Sequence, residues 1–157
     1  MSNIDPMLMR QIIMDHYDYP RNKELTDNEG YMSRHMASDS CIDDITVQTK
    51  ISDGKIDDIR FDGVACTIST ASTSIMSELL KGKTTEEAKE IIKTFIEMIK
   101  REITDEEQLK KLEDAIAFKN VSNMPARVKC ALLAWHTLED MLNKNDENGK
   151  GTINCCH

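Results

Sequence analysis

Residues 45–51 read Ile-Thr-Val-Gln-Thr-Lys-Ile, residues 56–61 read Ile-Asp-Asp-Ile-Arg-Phe, and Ser52-Asp53-Gly54-Lys55 stands between them. Ile45, Val47 and Ile51 alternate with polar neighbours, with Thr49 on the apolar face. That two-residue period is the signature of a half-buried strand. Ile59 and Phe61 share a face in the second run, and Asp-Gly is a strong tight-turn signal. The short connection predicts an antiparallel hairpin. Asp62-Gly63 predicts a further turn before Val64-Ala65-Cys66.

Helical periods surround this hairpin. From Ser69 to Lys81, Ile75, Met76, Leu79 and Leu80 share one face, and Gly82 stands where a helix ends. Thr84 with Glu87 forms a capping box for a helix through about Lys100, with Ala88, Ile91, Ile92 and Phe95 on its apolar face. Thr104 with Glu107 repeats the box for a third helix to about Ile116. Its apolar stripe of Leu109, Leu112 and Ile116 is narrow, which predicts a surface position. Pro125 opens a last helix that buries Val128, Leu132, Trp135, Leu138 and Leu142. At the other end, Asp5-Pro6 reads as a cap and first helical position. Leu8, Met9, Ile12, Ile13 and His16 line one face of that helix, which ends near His16 ahead of Pro20. Residues 21–40 read as polar and irregular. The expectation is an α+β fold, a small antiparallel sheet packed against several helices. One domain spans 1–142, followed by a flexible polar tail, 143–157, that ends in Cys155-Cys156-His157.

Composition removes whole classes of function. The 157 residues suit one domain whose core needs no disulfide staple. A net charge of −8 argues against nucleic acid, whose phosphates are held by clustered Lys and Arg. No run approaches the roughly 20 apolar residues of a membrane span. The first ten residues contain Asp5, Pro6 and Arg10 and no apolar run, so no secretion signal is expected. A reducing, cytoplasmic location follows, where separated cysteines act as ligands, nucleophiles or core residues rather than disulfides. The 10 Met outnumber the aromatic residues and must fill core space that rings would otherwise fill.

Three cysteines fall at the ends of elements. Cys41 lies in the loop before the first strand with Asp43 two residues on, Cys66 lies at a strand–helix junction, and Cys130 lies early in the last helix. The helix after Cys66 opens on small hydroxyl residues, which leave room for a metal, and its N-terminus favours a thiolate. Three thiolates and a carboxylate suit tetrahedral Zn²⁺, and thiolates also select iron–sulfur clusters. The separations of 25 and 64 residues match no compact zinc knuckle, so burial as small hydrophobes stays open for Cys66 and Cys130. Cys41 is flanked by Asp39-Ser40 and Asp43-Asp44, too polar for a core position.

Four segments carry a family resemblance. Asp15-His16-Tyr17-x-x-Pro20-Arg21-Asn22 resembles the D-H-Y-x-x-P-R-N segment of the IscU/NifU-type iron–sulfur assembly proteins, and Cys41-x-Asp43 resembles their C-G-D. Gly63-x-x-Cys66-x-Ile68-Ser69-x-Ala71-Ser72 resembles G-x-G-C-x-I-S-x-A-S. Pro125-Ala126-Arg127-Val128-Lys129-Cys130-Ala131-Leu132-x-x-Trp135 is similar to P-x-R-I-K-C-A-x-L-x-W of the SufU subgroup. The segments run in family order over about residues 5–142. Lys129 where the IscU type has His, and the charged stretch between Cys66 and Cys130, point to SufU. Ile42 stands in place of the family's Gly, and Ala65 in place of a second one.

The resemblance implies Zn²⁺ held by Cys41, Asp43, Cys66 and Cys130, with Cys41 as the sulfur acceptor. It implies a SufS-like pyridoxal-phosphate cysteine desulfurase as donor partner and downstream cluster assembly proteins as recipients. A close variant is a scaffold that builds a transient [2Fe–2S] cluster on Cys41, Cys66 and Cys130. The rival is a non-catalytic module with a purely structural zinc. Arg127 and Lys129 place positive charge beside Cys130, either to steady anionic sulfur or simply as solvated charges. His16 is expected to be packed or hydrogen-bonded, Tyr17 to sit at an interface or in packing, and His136 to lie beside the core face. His35 is near enough in sequence to approach the site. The Cys155-Cys156-His157 end has the residue types of a soft-metal or redox site.

Overall fold

The computed structural model describes residues 5–37, 43–103 and 105–146. Helix α1 spans Pro6–Asp18. A three-stranded antiparallel sheet follows, β1 (Tyr31–Ala37), β2 (Asp44–Ser52) and β3 (Lys55–Val64), in the spatial order β1-β2-β3. Then come α2 (Thr67–Leu80), α3 (Thr85–Ile99), a single turn α4 (Glu106–Leu109), a 3₁₀ segment Lys110–Asn123, and α5 (Pro125–Asp146). This is the expected α+β architecture.

The β2–β3 hairpin forms where its sequence predicts. Asp53 and Gly54 both take positive φ, 53° and 75°, the conformation a two-residue turn of matching twist requires. The register pairs Val47 with Phe61 and Thr49 with Ile59. Met36, Ile45, Val47, Ile59 and Phe61 are buried between the sheet and the helices. The opposite face is polar, and residues 22–26 run across it. Phe61 N–H donates to Asn22 O (3.0 Å), Thr26 N–H to Gln48 Oε1 (2.8 Å), and Lys23 Nζ to Asp62 Oδ1 (2.7 Å).

Helix α2 is the axle of the fold. Ser69 through Ser77, Leu79 and Leu80 are buried, with α1, the sheet and α5 packed around them. Small hydroxyl side chains let these neighbours approach closely, and their polar atoms become connectors. Ser72 Oγ donates to Ala131 O (2.7 Å) and accepts from Trp135 Nε1 (2.8 Å), which fastens α5. Ser74 Oγ accepts the Arg21 N–H (2.8 Å) and lies 2.8 Å from His16 Nδ1, which fastens α1 and the chain after it. His16 is thereby hydrogen-bonded to α2. Burial, then the nearby Arg21 charge, hold its pKa below the ordinary value. The Asp15–Asn22 segment is thus a strap pinned to α2 by hydrogen bonds.

Trp135 stacks on Phe95 of α3, ring centroids 3.9 Å apart and planes 9° from parallel, and Phe118 meets Phe95 edge-on. The capping box of α3 is present in both directions: the Glu87 N–H donates to Thr84 Oγ1 and the Thr84 N–H donates to Glu87 Oε1.

Several expectations change. Residues 31–37 are an edge strand rather than irregular chain, and only Met36 in it is buried. Helix α1 continues two residues past His16, to Asp18, and Leu8 faces outward, 47% exposed. The Asp62-Gly63 turn does not exist: both residues belong to β3, and Gly63 pairs with Ile45. The third helix divides into α4 and the 3₁₀ segment, broken at Glu113 (φ 49°, ψ −126°). It is also not peripheral, since Leu109, Leu112, Ala115, Phe118 and Val121 are buried in the common core. Thr104 lies outside the described residues. Helix α5 runs four residues beyond Leu142, so the expected start of the tail falls inside its last turn. The Cys155-Cys156-His157 end lies outside the described residues.

Candidate metal centre

Three elements meet at one end of α2. Strand β2 begins at Asp44, directly after Asp43. Strand β3 ends at Val64 and leads through Ala65 into Cys66, the N-cap of α2. Helix α5 begins at Pro125, with Cys130 in its second turn. One ligand atom from each of Asp43, Cys66 and Cys130 lies within 4.8 Å of the other two.

The junction is held by backbone contacts. Gly63 takes φ +138°, and a Cβ there would stand 2.2 Å from Asp44 O and 2.9 Å from Ile45 Cα. Only glycine allows β3 to close this tightly on β2. Asp62 Oδ1 accepts the Gly63 N–H (2.8 Å) as well as Lys23 Nζ. The hydrogen bond from Lys23, then that from the Gly63 N–H, keep the Asp62 carboxyl below its usual range. The closure places Cys66 N–H 3.0 Å from Asp43 Oδ1 and so fixes the carboxylate against the helix start. Cys66 Sγ then accepts the Ser69 N–H at 3.4 Å. Asp43 and Cys130 are each 2% exposed, and Cys66 is half-buried.

The donor chemistry suits a borderline-soft cation. Two sulfurs and one carboxylate oxygen make three of the four ligands of a tetrahedral zinc site, and a helix N-terminus favours the thiolate form.

The structure therefore brings together Asp43, Cys66 and Cys130, which separations of 23 and 64 residues gave no reason to associate. Cys41 and Ile42 lie outside the described residues. Arg127 and Lys129 are exposed on the first turns of α5. His35 does not join the cluster: its Nε2 pairs with Asp44 Oδ1 at 2.5 Å on the exposed sheet face. His16 is hydrogen-bonded to α2, as expected, and Tyr17 is 40% exposed. His136 is exposed, 3.8 Å from Glu139 Oε1.

Sequence reading placed Ser69 among the small residues that open α2 and gave it no role of its own. It is fully buried, and its Oγ has no hydrogen-bond partner among the described residues. The signal available was the helix period, which puts Ser69 one turn from both Cys66 and Ser72.

Known proteins share this arrangement of sequence. The NifU-like N-terminal domain family matches residues 8–148. A Bacillus subtilis protein named zinc-dependent sulfurtransferase SufU is 38% identical over 146 residues, covering 92% of this chain and 95% of its own. A Thermotoga maritima protein named iron–sulfur cluster assembly scaffold protein IscU is 41% identical over 105 residues, 67% of this chain and 72% of its own. The crystal structure of a SUF-system cluster assembly scaffold protein from Fervidobacterium islandicum superimposes with a TM-score of 0.74 at 34% identity, covering 84% of this chain and 94% of that one.

Proposed function

The chain belongs to the NifU-like N-terminal domain family, and from that membership we propose that it is a zinc-bound sulfur acceptor in iron–sulfur cluster assembly. The observation that carries the proposal is the convergence of Asp43, Cys66 and Cys130 ligand atoms within 4.8 Å. We assign Cys41 as the fourth ligand. Two peptide units separate it from Asp43, which keeps its Cα within about 7 Å of the Asp43 Cα. Ala37 and Asp44 are paired, so the β1–β2 connection that carries Cys41 leaves and returns beside the site.

When bound, zinc holds the site sulfurs as thiolates at neutral pH. The Cys66 N–H orients the Asp43 carboxylate, and the Ser69 N–H orients the Cys66 sulfur. We give the acceptor role to Cys41, because Cys66 and Cys130 are held at the starts of two packed helices. Its thiolate attacks the outer sulfur of a persulfide on a cysteine desulfurase. A new S–S bond forms at Cys41, the donor's S–S bond breaks, and the donor cysteine leaves as a thiolate. Arg127 and Lys129 supply positive charge near Cys130 for the anionic sulfur. Free thiols in such a site need a reducing compartment, and we place the protein in the cytoplasm.

A second reading has support of its own, because several relatives bear the IscU scaffold name. The same cysteines would then hold a transient [2Fe–2S] cluster for downstream assembly proteins. Metal analysis of the purified protein tests the site. We expect one zinc per chain, lost in Cys66→Ser and in Cys130→Ser. Wild-type protein without a transition metal, or variants that retain it, contradicts the assignment. Anaerobic reconstitution with iron and sulfide separates the two roles: visible charge-transfer absorption supports the scaffold, and a colourless product that keeps its zinc supports sulfur transfer.

A further inference from the structure

The two edges of the sheet differ. The outer edge of β3 is covered by its own chain: the Phe61 N–H donates to Asn22 O (3.0 Å), the Ile56 N–H to Lys83 O (2.9 Å), and the Gly82 N–H to Ile56 O (2.8 Å). Strand β1 forms the other edge and pairs with β2 alone. Among the described residues, no hydrogen bond from outside the sheet reaches the backbone of residues 31–36. Alternate N–H and C=O groups along such a strand point away from its neighbour and form a template for another chain. The usual guards are missing. Tyr31–Ala37 contains no Pro and no Lys, and its 7 residues pair with β2 without a bulge.

One charge on β1 faces the buried side. Side chains alternate along a strand, so Met32 and Arg34 share the face on which Met36 packs against the helices. Arg34 lies opposite Val47, which is fully buried, and Met36 beside it accepts a hydrogen bond from Thr137 Oγ1 of α5 at its sulfur (2.9 Å). Arg34 Nη1 is withdrawn from water and has no hydrogen-bond partner among the described residues. The other half-buried arginines are paired, Arg21 with Asp15 and Arg60 with Asp58. A guanidinium nitrogen removed from water without an acceptor is costly, and a carboxylate is its best partner. At the rim of an open edge this group discriminates. It rejects an uncharged strand, which would bury it further, and accepts one that brings a carboxylate. A second copy of β1 does not meet that condition, because Tyr31-Met-Ser-Arg-His-Met-Ala37 has no acidic residue.

We propose that the outer edge of β1 receives an extended acidic segment of a partner protein, which adds as a further strand of the sheet and sets a carboxylate against Arg34. Main-chain hydrogen bonds along the edge supply affinity, and the pair with Arg34 supplies specificity and register. Strand β1 ends at Ala37, which pairs with Asp44, the neighbour of Asp43. A partner anchored along this edge is therefore held beside the metal centre, although its contact with β1 requires no metal.

Amide exchange and chemical-shift mapping of the whole chain test this. In the protein alone, the outward amides of residues 31–36 should exchange quickly at every concentration. Protection that grows with protein concentration places a second copy on the edge, and protection at every concentration places the protein's own chain there; either result overturns the proposal. The probe is a short capped peptide that alternates valine and threonine, with one central glutamate on the valine face, compared with its glutamine twin. The glutamate peptide should slow exchange in β1 and bind roughly tenfold more tightly than the twin, the effect of one charge-assisted hydrogen bond. Equal affinities, or shifts that map away from β1, overturn the proposal. Arg34→Met keeps the apolar stem and removes the charge. This variant should be as stable as wild type or more so, and it should bind the two peptides equally. A variant that still prefers the glutamate peptide overturns the assignment to Arg34.

Discussion

Gly63 links the local geometry of one residue to the chemistry of the site. Its absent Cβ lets β3 pack on Asp44 O, and that packing sets the hydrogen bond from Cys66 to Asp43. Gly63→Ala forces both a strained φ and a backbone clash. A loss of roughly 1–3 kcal/mol from the strained conformation alone is expected in denaturant unfolding, together with weaker zinc retention. Thr49 makes the opposite case. Its Oγ1 is buried beside Ile59 and has no hydrogen-bond partner among the described residues. Thr49→Val should raise stability by about 1 kcal/mol in the same assay, because it removes a desolvated hydroxyl without removing a bond.

At the scale of elements, the sheet carries its own charged clamp. Asp58 of β3 receives Tyr31 Oη (2.5 Å), Arg60 Nε (2.8 Å) and Lys81 Nζ (3.0 Å), and so ties β1 and the end of α2 to β3. Burial alone would raise the Asp58 pKa, but these three donors outweigh it and bring it to about 2. Since the folded value lies below the unfolded one, the unfolded chain takes up this proton first as the solution is acidified. The clamp's contribution is complete above the ordinary carboxylate value of 3.8 and disappears as pH falls through about 2. Asp58→Asn should therefore flatten the acid limb of the stability profile in that window while lowering stability at neutral pH.

The elements also show what sequence could and could not reveal. The hairpin was legible because Asp53-Gly54 and the alternation of Ile45, Val47 and Ile51 agree, and α3 because its capping box closes in both directions. Strand β1 was not, since Tyr31-Met-Ser-Arg-His-Met-Ala37 has no β-branched residue and buries only Met36. The 3₁₀ segment defeated a helical reading because the Glu113 break resets the period, so Phe118 and Val121 reach the core out of phase with Leu109. Gly63 was misread as a turn because a glycine needed for close approach looks the same in sequence as one needed for a bend. Their positions at element ends singled out Asp43, Cys66 and Cys130, but only the resemblance joined them into one set, because they belong to three elements whose meeting is a tertiary fact.

For the whole molecule, that meeting has a thermodynamic consequence. The site joins the start of β2, the start of α2 and the start of α5, so a bound metal cross-links segments far apart in the chain. The unfolded chain offers no such preformed set of ligands, so binding free energy becomes folding free energy. A metal at about 1,000 times its Kd adds about 4 kcal/mol, and for a chain of this size chelation should lower Tm by about 10 °C. A Tm indifferent to chelator would mean that the cluster does not hold metal in the folded protein. The charge of −8 acquires a distribution at this scale. Glu86, Glu87, Glu90 and Glu97 lie on α3 and Asp105 and Glu107 beside or within α4, whereas Arg127 and Lys129 stand at the opening of α5 near Cys130.

The central claim, that Cys41 accepts sulfur at this site, is tested most directly by sulfide release from the cognate cysteine desulfurase with and without the purified protein. The account predicts that wild type accelerates release and that Cys41→Ala, with its fold intact, does not. Stimulation that survives Cys41→Ala would contradict it.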